Sequence, residues 1–406
     1  MLIKTIRFPA RVGFHARVKQ RVYQYFADNR MPTTGDWRMF LKTGIILIWF
    51  LVSYMLYVFC ATSLLMSLLT VVALAQGFIL ISLNMMHDGG HKSYSRQKTL
   101  NWVMGFTLDL MGGSHILWRQ KHNILHHTYT NIHEFDSDLS TAGLFRFSPD
   151  QRWQAWHRWQ HLYAWPVYSL LTLSWVTFGD FRKFFSGHIG PHPLHRQTGV
   201  EACLFFVTKI FYLCYMLVLP AFFHPVLHVL IAFVAMHVLF GFTLSLVFQL
   251  AHTVEGTAFP TPETHTGMMA HEWAVHEVET TANFAPTNAL ARWYLGGLNF
   301  QVEHHLFSHI CHTHYPAIST IVRQTCDDFA IPYVCYPTVR SAITSHYRFL
   351  QTLGRRSSSP PDLVGGTLRS YGDTIPCQGI QSALPRTTPS RGGMGDGVAI
   401  RSMPFS

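Results

Sequence analysis

Two long stretches of this 406-residue chain, residues 44–86 and residues 210–254, contain no Asp, Glu, Lys or Arg. A helix that crosses a hydrocarbon core about 30 Å thick needs about 20 apolar residues, so each stretch is long enough to cross twice. Helices satisfy their own backbone hydrogen bonds in lipid. The sequence therefore predicts two helical hairpins. Their four spans are expected at about residues 44–62, 65–86, 203–221 and 226–251.

The composition supports a membrane location. Hydrophobic residues make up 49% of the chain and charged residues 13%, whereas a soluble globular protein carries about 25% charged residues. An ordinary soluble enzyme is therefore excluded. The predicted fold class is an all-α integral membrane protein with four transmembrane helices.

Lysine and arginine predict the orientation. Residues 1–30 contain seven of them, and the outer turns near residues 60–63 and 220–225 contain none. Basic loops stay in the cytoplasm, so the N-terminus, residues 87–203 and residues 255–406 are all predicted to be cytoplasmic. The membrane would be a bacterial inner membrane or the endoplasmic reticulum.

Three domains are expected. Residues 1–42 form a basic cytoplasmic N-terminal segment and residues 43–353 form the membrane domain. Residues 354–406 are rich in Ser, Pro, Gly and Arg and lack apolar periodicity, which predicts a disordered tail because such a segment buries little apolar surface.

Histidine strings follow the apolar stretches. The chain has 26 histidines, so an isolated H-x-x-x-H pair carries little information. By chance we expect only roughly 0.1 occurrences of H-x-x-x-H-H and fewer than about 0.1 of Q-x-x-H-H, yet HNILHH occupies residues 122–127 and QVEHH residues 301–305. HDGGH at residues 87–91 directly follows the first hairpin. Neutral imidazole is the commonest protein ligand of transition metals, so these strings, converging from helix ends, predict a cytoplasmic cap that holds two metal ions.

Other histidines are predicted to have structural or solvated positions. His224, His228 and His237 lie in or beside the second hairpin, where helix packing or a helix–helix hydrogen bond is expected. The histidines in polar cytoplasmic stretches are predicted to be mostly solvated: His157, His161, His188, His192, His195, His309, His312 and His314. His271 competes with His276, five residues later, as a possible ligand.

Three segments resemble the histidine boxes of the membrane fatty acid desaturases: HDGGH, HNILHHTYTN and GGLNFQVEHHLFSHI. The resemblance covers about residues 35–345. A third box that opens with Gln301 is similar to the front-end branch, whose members act as Δ6 or Δ5 desaturases. The resemblance implies eight iron ligands: His87, His91, His122, His126, His127, His276, His304 and His305. It implies that Gln301 completes the coordination weakly or donates a hydrogen bond near the metals.

The same resemblance implies O2-dependent desaturation of a fatty acyl-CoA or acyl-lipid at two iron ions. No HPGG haem motif occurs in the sequence, so a separate electron donor, a ferredoxin or cytochrome b5, is expected. Membrane lipids are expected partners and nucleic acid is not. Alternatives are a fatty acyl hydroxylase on the same scaffold and, more distantly, a histidine-rich membrane metal transporter, whose ligands should lie within the spans.

Overall fold

The computed structural model of the protein describes residues 6–10 and 13–356, which are mostly helical. Four helices are long and apolar enough to cross a membrane, judged by length and composition. We call them spans 1 to 4: Trp37–Cys60, Leu64–Gly90, Gly199–Ala221 and Val226–His252. The mostly helical architecture with four candidate spans is confirmed. Pairing as hairpins and the cytoplasmic side stay predictions.

The span boundaries follow from local capping. Span 1 begins earlier than predicted because Asp36 caps it, accepting a hydrogen bond from Arg38 N at 2.9 Å. Its first turns contain Arg38 and Lys42, so they lie outside the charge-free stretch that begins at residue 44. Ser63 caps span 2 in the same way, and Thr198 forms a capping box with Glu201 at the start of span 3. Such caps satisfy the free N–H groups of a first helical turn.

The remaining elements are short. The other helical segments are Phe14–Asp28, Lys98–Leu110, His115–Arg119, Gln120–His126, His127–Tyr129, Ala155–Trp159, Gln160–Tyr168, Leu171–Ser174, Trp175–Gly179, Asp180–Ser186, Trp273–Glu279, Ala289–Tyr294, Gln301–Leu306, His312–His314, Tyr315–Asp328 and Val339–Gly354. Two small sheets depart from an all-α chain. Strands His188–Ile189 and His192–Pro193 pair antiparallel, and strands Ala282–Phe284 and Val334–Tyr336 pair parallel.

Spans 2 and 4 form the centre of the apolar core. Their buried side chains pack together, with the rings of Phe78 and Phe240 5.7 Å apart. Spans 1 and 3 are less buried and present large apolar side chains such as Ile48 and Ile210 to the outside, as expected for lipid contact. His237 on span 4 lies 2.8 Å from the Tyr212 hydroxyl of span 3, so its predicted helix–helix hydrogen bond is confirmed.

The N-terminal helix packs onto the region that carries the third histidine string. Phe14, Val18 and Val22 of the Phe14–Asp28 helix are fully buried, in one cluster with side chains of the Trp273–Glu279 and Tyr315–Asp328 helices. The segment called basic in the sequence therefore also contributes an apolar face. Of the predicted tail, residues 354–356 are described, and residues 357–406 lie outside the described part of the chain.

Candidate metal centre

Eight buried histidines converge where spans 2 and 4 end. They come from the end of span 2, the segments around HNILHH, the last residue of span 4 and the Gln301–Leu306 helix. Each is at most 8% exposed. The set is His87, His91, His122, His126, His127, His252, His304 and His305. Seven of these are sequence-predicted ligands, and His252 is an addition.

The rings form two neighbouring groups. In the first, ligand nitrogens of His87, His91, His122 and His304 all lie within 4.8 Å of one another. His126, His252 and His305 form the second group by the same criterion.

His127 lies between the two groups. Its ring centroid is 4.7 Å from that of His304 and 4.4 Å from that of His305. These three residues make a further group that meets the same 4.8 Å criterion. Two adjacent ions could therefore bind here, and His127 lies where it could coordinate either of them.

The hydrogen bonding of these rings fits metal binding. Five ring nitrogens are buried without a hydrogen-bond partner: Nε2 of His91, His304 and His305, and both nitrogens of His127. Nε2 of His87 and Nε2 of His122 lie 3.3 Å apart. Leaving buried polar atoms unpaired costs free energy, and a metal ion would satisfy such inward-facing nitrogens together.

Burial favours the neutral form of five of the eight imidazoles. Desolvation, followed by repulsion from neighbouring histidines, lowers the pKa of His91, His122, His127, His304 and His305 well below the usual value for histidine. A neutral ring has a nitrogen lone pair free for a metal. These five rings are therefore suited to coordinate a cation rather than to carry protons.

Two π-helical segments of the backbone help to set where the histidine rings point. A π-helical segment, Ile81–Met86, ends directly before His87, and another, Gln120–His126, contains His122. The wider turn of a π-helix changes where the following side chains point, and such turns are frequent at functional sites. Gly89 of HDGGH lets its backbone pack closely against that of Gly105, because a Cβ on Gly89 would lie 2.6 Å from the backbone nitrogen of Gly105.

Carboxylates orient two of the rings from outside. Glu277 Oε2 lies 2.6 Å from His305 Nδ1, and Asp136 Oδ2 lies 3.1 Å from His126 Nδ1. A carboxylate that accepts a hydrogen bond from Nδ1–H fixes the ring and leaves Nε2 free to bind a metal. Burial raises the pKa of Glu277 well above its usual range, and the charge of a bound metal would act in the opposite direction.

His276 is not part of the cluster. It is buried, but its ring packs edge-on against Phe8 at 5.2 Å, and it belongs to none of the candidate groups among the described residues. The reason is the short Trp273–Glu279 helix, which turns Glu277 towards His305. Its competitor His271 is exposed and contacts Glu279 at 2.8 Å. The geometry thus does not support the predicted ligand role of His276.

His252 and Gln301 are neighbours at the second group. Gln301 Nε2 lies 3.1 Å from His252 Nε2, and Gln301 Oε1 is buried without a hydrogen-bond partner. The amide is therefore positioned to act on this group, as a weak ligand or through a hydrogen bond. Sequence reasoning missed His252 because a single histidine makes no string. One signal was present: span 4 ends with a histidine at the same level as His87 near the end of span 2.

The prediction of a solvated position is wrong for His157, His161, His312 and His314, which are all buried. His314 Nε2 lies 3.2 Å from Thr34 O, and His312 Nδ1 lies 2.8 Å from Asp88 Oδ2. Folding brings the segment after the third string against the start of span 1 and the end of span 2, contacts that the local sequence does not reveal.

A narrow apolar crevice reaches the cluster from between the spans. It is lined by His87, Met111, Trp118, Leu244 and Phe248, among others, and encloses about 20 Å³. That volume holds little more than one water molecule. An acyl chain could occupy it only after the lining side chains move apart.

Comparison with known proteins agrees with this geometry. The family model described as fatty acid desaturase matches residues 62–337, a range that includes all eight clustered histidines. The chain is 36% identical over 353 residues to the sn-1 linoleoyl-lipid 6-desaturase of Synechocystis sp., covering 87% of this chain and 98% of that protein. It is 39% identical over 347 residues to the acyl-lipid (8-3)-desaturase of Physcomitrium patens, covering 84% of this chain and 72% of the relative.

A second relative named as a linoleoyl-lipid 6-desaturase gives the same result. The sn-1 linoleoyl-lipid 6-desaturase of Arthrospira platensis is 34% identical over 350 residues, covering 86% of this chain and 94% of that protein. The family model covers spans 2, 3 and 4 and the three histidine strings. The chain belongs to the fatty acid desaturase family and is an oxidoreductase of lipid metabolism.

Proposed function

We propose that the protein is an O2-dependent acyl-lipid desaturase of the front-end, Δ6 type, which inserts a cis double bond at a di-iron centre. The observation that carries the proposal is the convergence of eight buried histidines with open ring nitrogens at the ends of spans 2 and 4. Relatives named as linoleoyl-lipid 6-desaturases support an acyl-lipid substrate over an acyl-CoA and support the position of the new bond.

The two histidine groups would each hold one iron ion, with His127 between them. When bound, iron supplies the activation of O2 that removes hydrogen from an unactivated methylene, which no side chain can do. The protein's part is positioning. Glu277 and Asp136 hold His305 and His126 in place, and Gln301 stands beside the second group.

The overall reaction needs an external electron source. The acyl chain gives up two hydrogen atoms, which carry two of the four electrons and two of the four protons that reduce one O2 to two water molecules. The donor supplies the other two electrons, and solvent supplies the other two protons. We propose a separate ferredoxin or cytochrome b5 as donor, docking on the basic cytoplasmic face. The four spans would form two hairpins that keep the histidines on that side.

Product analysis tests the proposal. The protein is expressed in a host that lacks Δ6 products, and the fatty acids of its lipids are identified by gas chromatography and mass spectrometry. A new double bond at the sixth carbon is expected when linoleoyl lipids are present. A hydroxylated acyl chain in its place would identify the hydroxylase alternative, and an unchanged lipid profile with iron-loaded protein would contradict the proposal.

Removing the carboxylate behind His305 should weaken metal binding. In a Glu277→Leu variant, His305 loses the acceptor for Nδ1, and loss of such an orienting partner typically lowers metal affinity or activity about 10–100-fold. Iron retained after dialysis against a chelator measures the effect. Glu277→Gln should recover much of it, and Glu279→Leu, two residues along the same helix, should bind iron normally. Equal iron retention in Glu277→Leu and Glu279→Leu would contradict the orienting role.

Filling the apolar crevice should block substrate without removing iron. Leu244→Trp places a larger side chain in a space of about 20 Å³, so turnover should fall at least about tenfold because overpacked space excludes the chain. Val234→Trp, on the exposed side of span 4, is the control and should turn over normally. Normal turnover in Leu244→Trp would show that the acyl chain enters elsewhere.

A further inference from the structure

A larger cavity opens at the start of span 1, at the end that lies nearest the histidine cluster. It has a volume of about 380 Å³, and six of its lining residues carry the argument. They are Trp37, Arg38, Lys42, Arg292, Trp293 and His312. None of the residues that line it also lines the apolar crevice, so the two spaces are separate.

The cavity is cationic. Its lining includes Arg38, Lys42 and Arg292 and no acidic residue. Asp36 directly precedes Trp37, and its Oδ1 accepts the capping hydrogen bond from Arg38 N. Neither arginine has a carboxylate within 4.0 Å among residues 6–10 and 13–356. Three positive side chains around one space, with no acid in its lining, favour an anion.

Lys42 is fixed at the inner wall. It is 6% exposed, its Nζ lies 3.0 Å from His312 Nε2, and it lies 5.3 Å from the centre of the Trp293 ring. An ammonium group has three N–H donors, and one of them is used by His312.

The acid behind this wall, Asp88, is already paired. His312 Nδ1 lies 2.8 Å from Asp88 Oδ2, and Cys311 Sγ donates to the same oxygen at 3.1 Å. With His312 donating from Nδ1 to Asp88, its Nε2 accepts from Lys42. The charge of Asp88 is thus turned away from the cavity, and two Lys42 donors remain for a ligand.

The surroundings of the cavity are those of a membrane interface. Trp37 is 67% exposed beside Arg38, whose guanidinium lies 5.7 Å from the tryptophan ring. Leu41 and Ile45 line the cavity, and the exposed Ile48 continues the same surface along span 1. Tryptophan and basic residues at the end of an apolar span are typical of the headgroup level. A ligand with a charged head and apolar tails fits both parts.

We propose that this cavity binds the phosphate headgroup of an anionic membrane lipid, with Arg38, Lys42 and Arg292 around the phosphate and the acyl tails along Leu41 and Ile45. The site is additional to the proposed substrate crevice. His312, which lines the cavity, contacts Asp88, the residue next to His87. Lipid binding would therefore stabilise the end of span 2.

Lipid counting tests the site. The full-length protein is reconstituted in nanodiscs with equal amounts of phosphatidylglycerol and phosphatidylcholine, and retained lipids are counted by native mass spectrometry. We expect preferential retention of phosphatidylglycerol. In an Arg38→Gln/Arg292→Gln variant this preference should fall at least about tenfold, because each basic residue contributes substantially to binding an anionic headgroup. Lys42 is left in place to preserve its contact with His312.

The matched control is Arg158→Gln/Arg340→Gln. Both arginines are exposed, and Arg158 lies 5.6 Å from the Trp159 ring, which repeats the arginine–tryptophan pair outside the cavity. The control should keep its lipid preference. Equal phosphatidylglycerol retention in the two double variants would overturn the site, as would complete displacement of the lipid by millimolar inorganic phosphate, which would identify a free-phosphate site instead. Lipid retention does not depend on turnover, so this result and that of product analysis are independent.

Discussion

Replacing His304 by alanine is expected to abolish double-bond formation and to deplete the purified protein of iron. His304 belongs both to the group with His87, His91 and His122 and to the group with His127 and His305, so its loss affects both metal positions. Its Nε2 is buried without another partner. Losing an inner ligand should lower turnover at least about 100-fold, since even an outer-shell change costs 10–100-fold. Product formation and iron content are measured on the same purified sample.

His265→Ala is the control for this experiment. His265 is exposed and far in sequence from the strings, so its removal should leave iron and product within about twofold of the unaltered protein, as is usual for surface substitutions. Normal product formation by a purified His304→Ala protein would remove the third histidine string from the metal centre.

Replacing His252 by alanine should remove one of the two metal positions, whereas His276→Ala should keep both. His252 shares the second group with His126 and His305, while His276 packs against Phe8. We expect iron content to fall by about half in His252→Ala and turnover to fall at least about 100-fold. The His276 variant loses ring packing and a hydrogen bond with the Thr130 backbone, and it should retain its iron.

The comparison of these two variants separates the sequence-based assignment from the structural one. Thermal unfolding of both proteins shows whether either substitution acts through stability. If His276→Ala lost iron and His252→Ala retained it, the ligand set implied by family resemblance would be correct and the geometric set would be wrong.

The spans and seven of the clustered histidines were predictable because their signals are local. An uncharged run long enough for two crossings is visible in the sequence, and a string such as HNILHH exceeds chance within a few residues. His252 has no such context. Its part in the cluster depends on how span 4 packs against the Gln301–Leu306 helix, which is a tertiary property.

The positions of His276 and His312 have the same explanation. Whether His276 or Glu277 points towards His305 depends on the rotation of a short helix, and neighbouring residues of a helix point about 100° apart. His312 is buried because it meets Lys42 and Asp88, which are more than 200 residues away in sequence. Partners at that distance leave no periodic pattern near the residue itself.

Metal analysis of the active protein tests the central claim most directly. Protein that forms double bonds in lipid is purified, and its iron and zinc are quantified by mass spectrometry against protein concentration. The two adjacent histidine groups predict about two iron ions per chain and no stoichiometric zinc. A single iron ion per fully active chain, or zinc in place of iron, would contradict a di-iron centre built from these eight histidines.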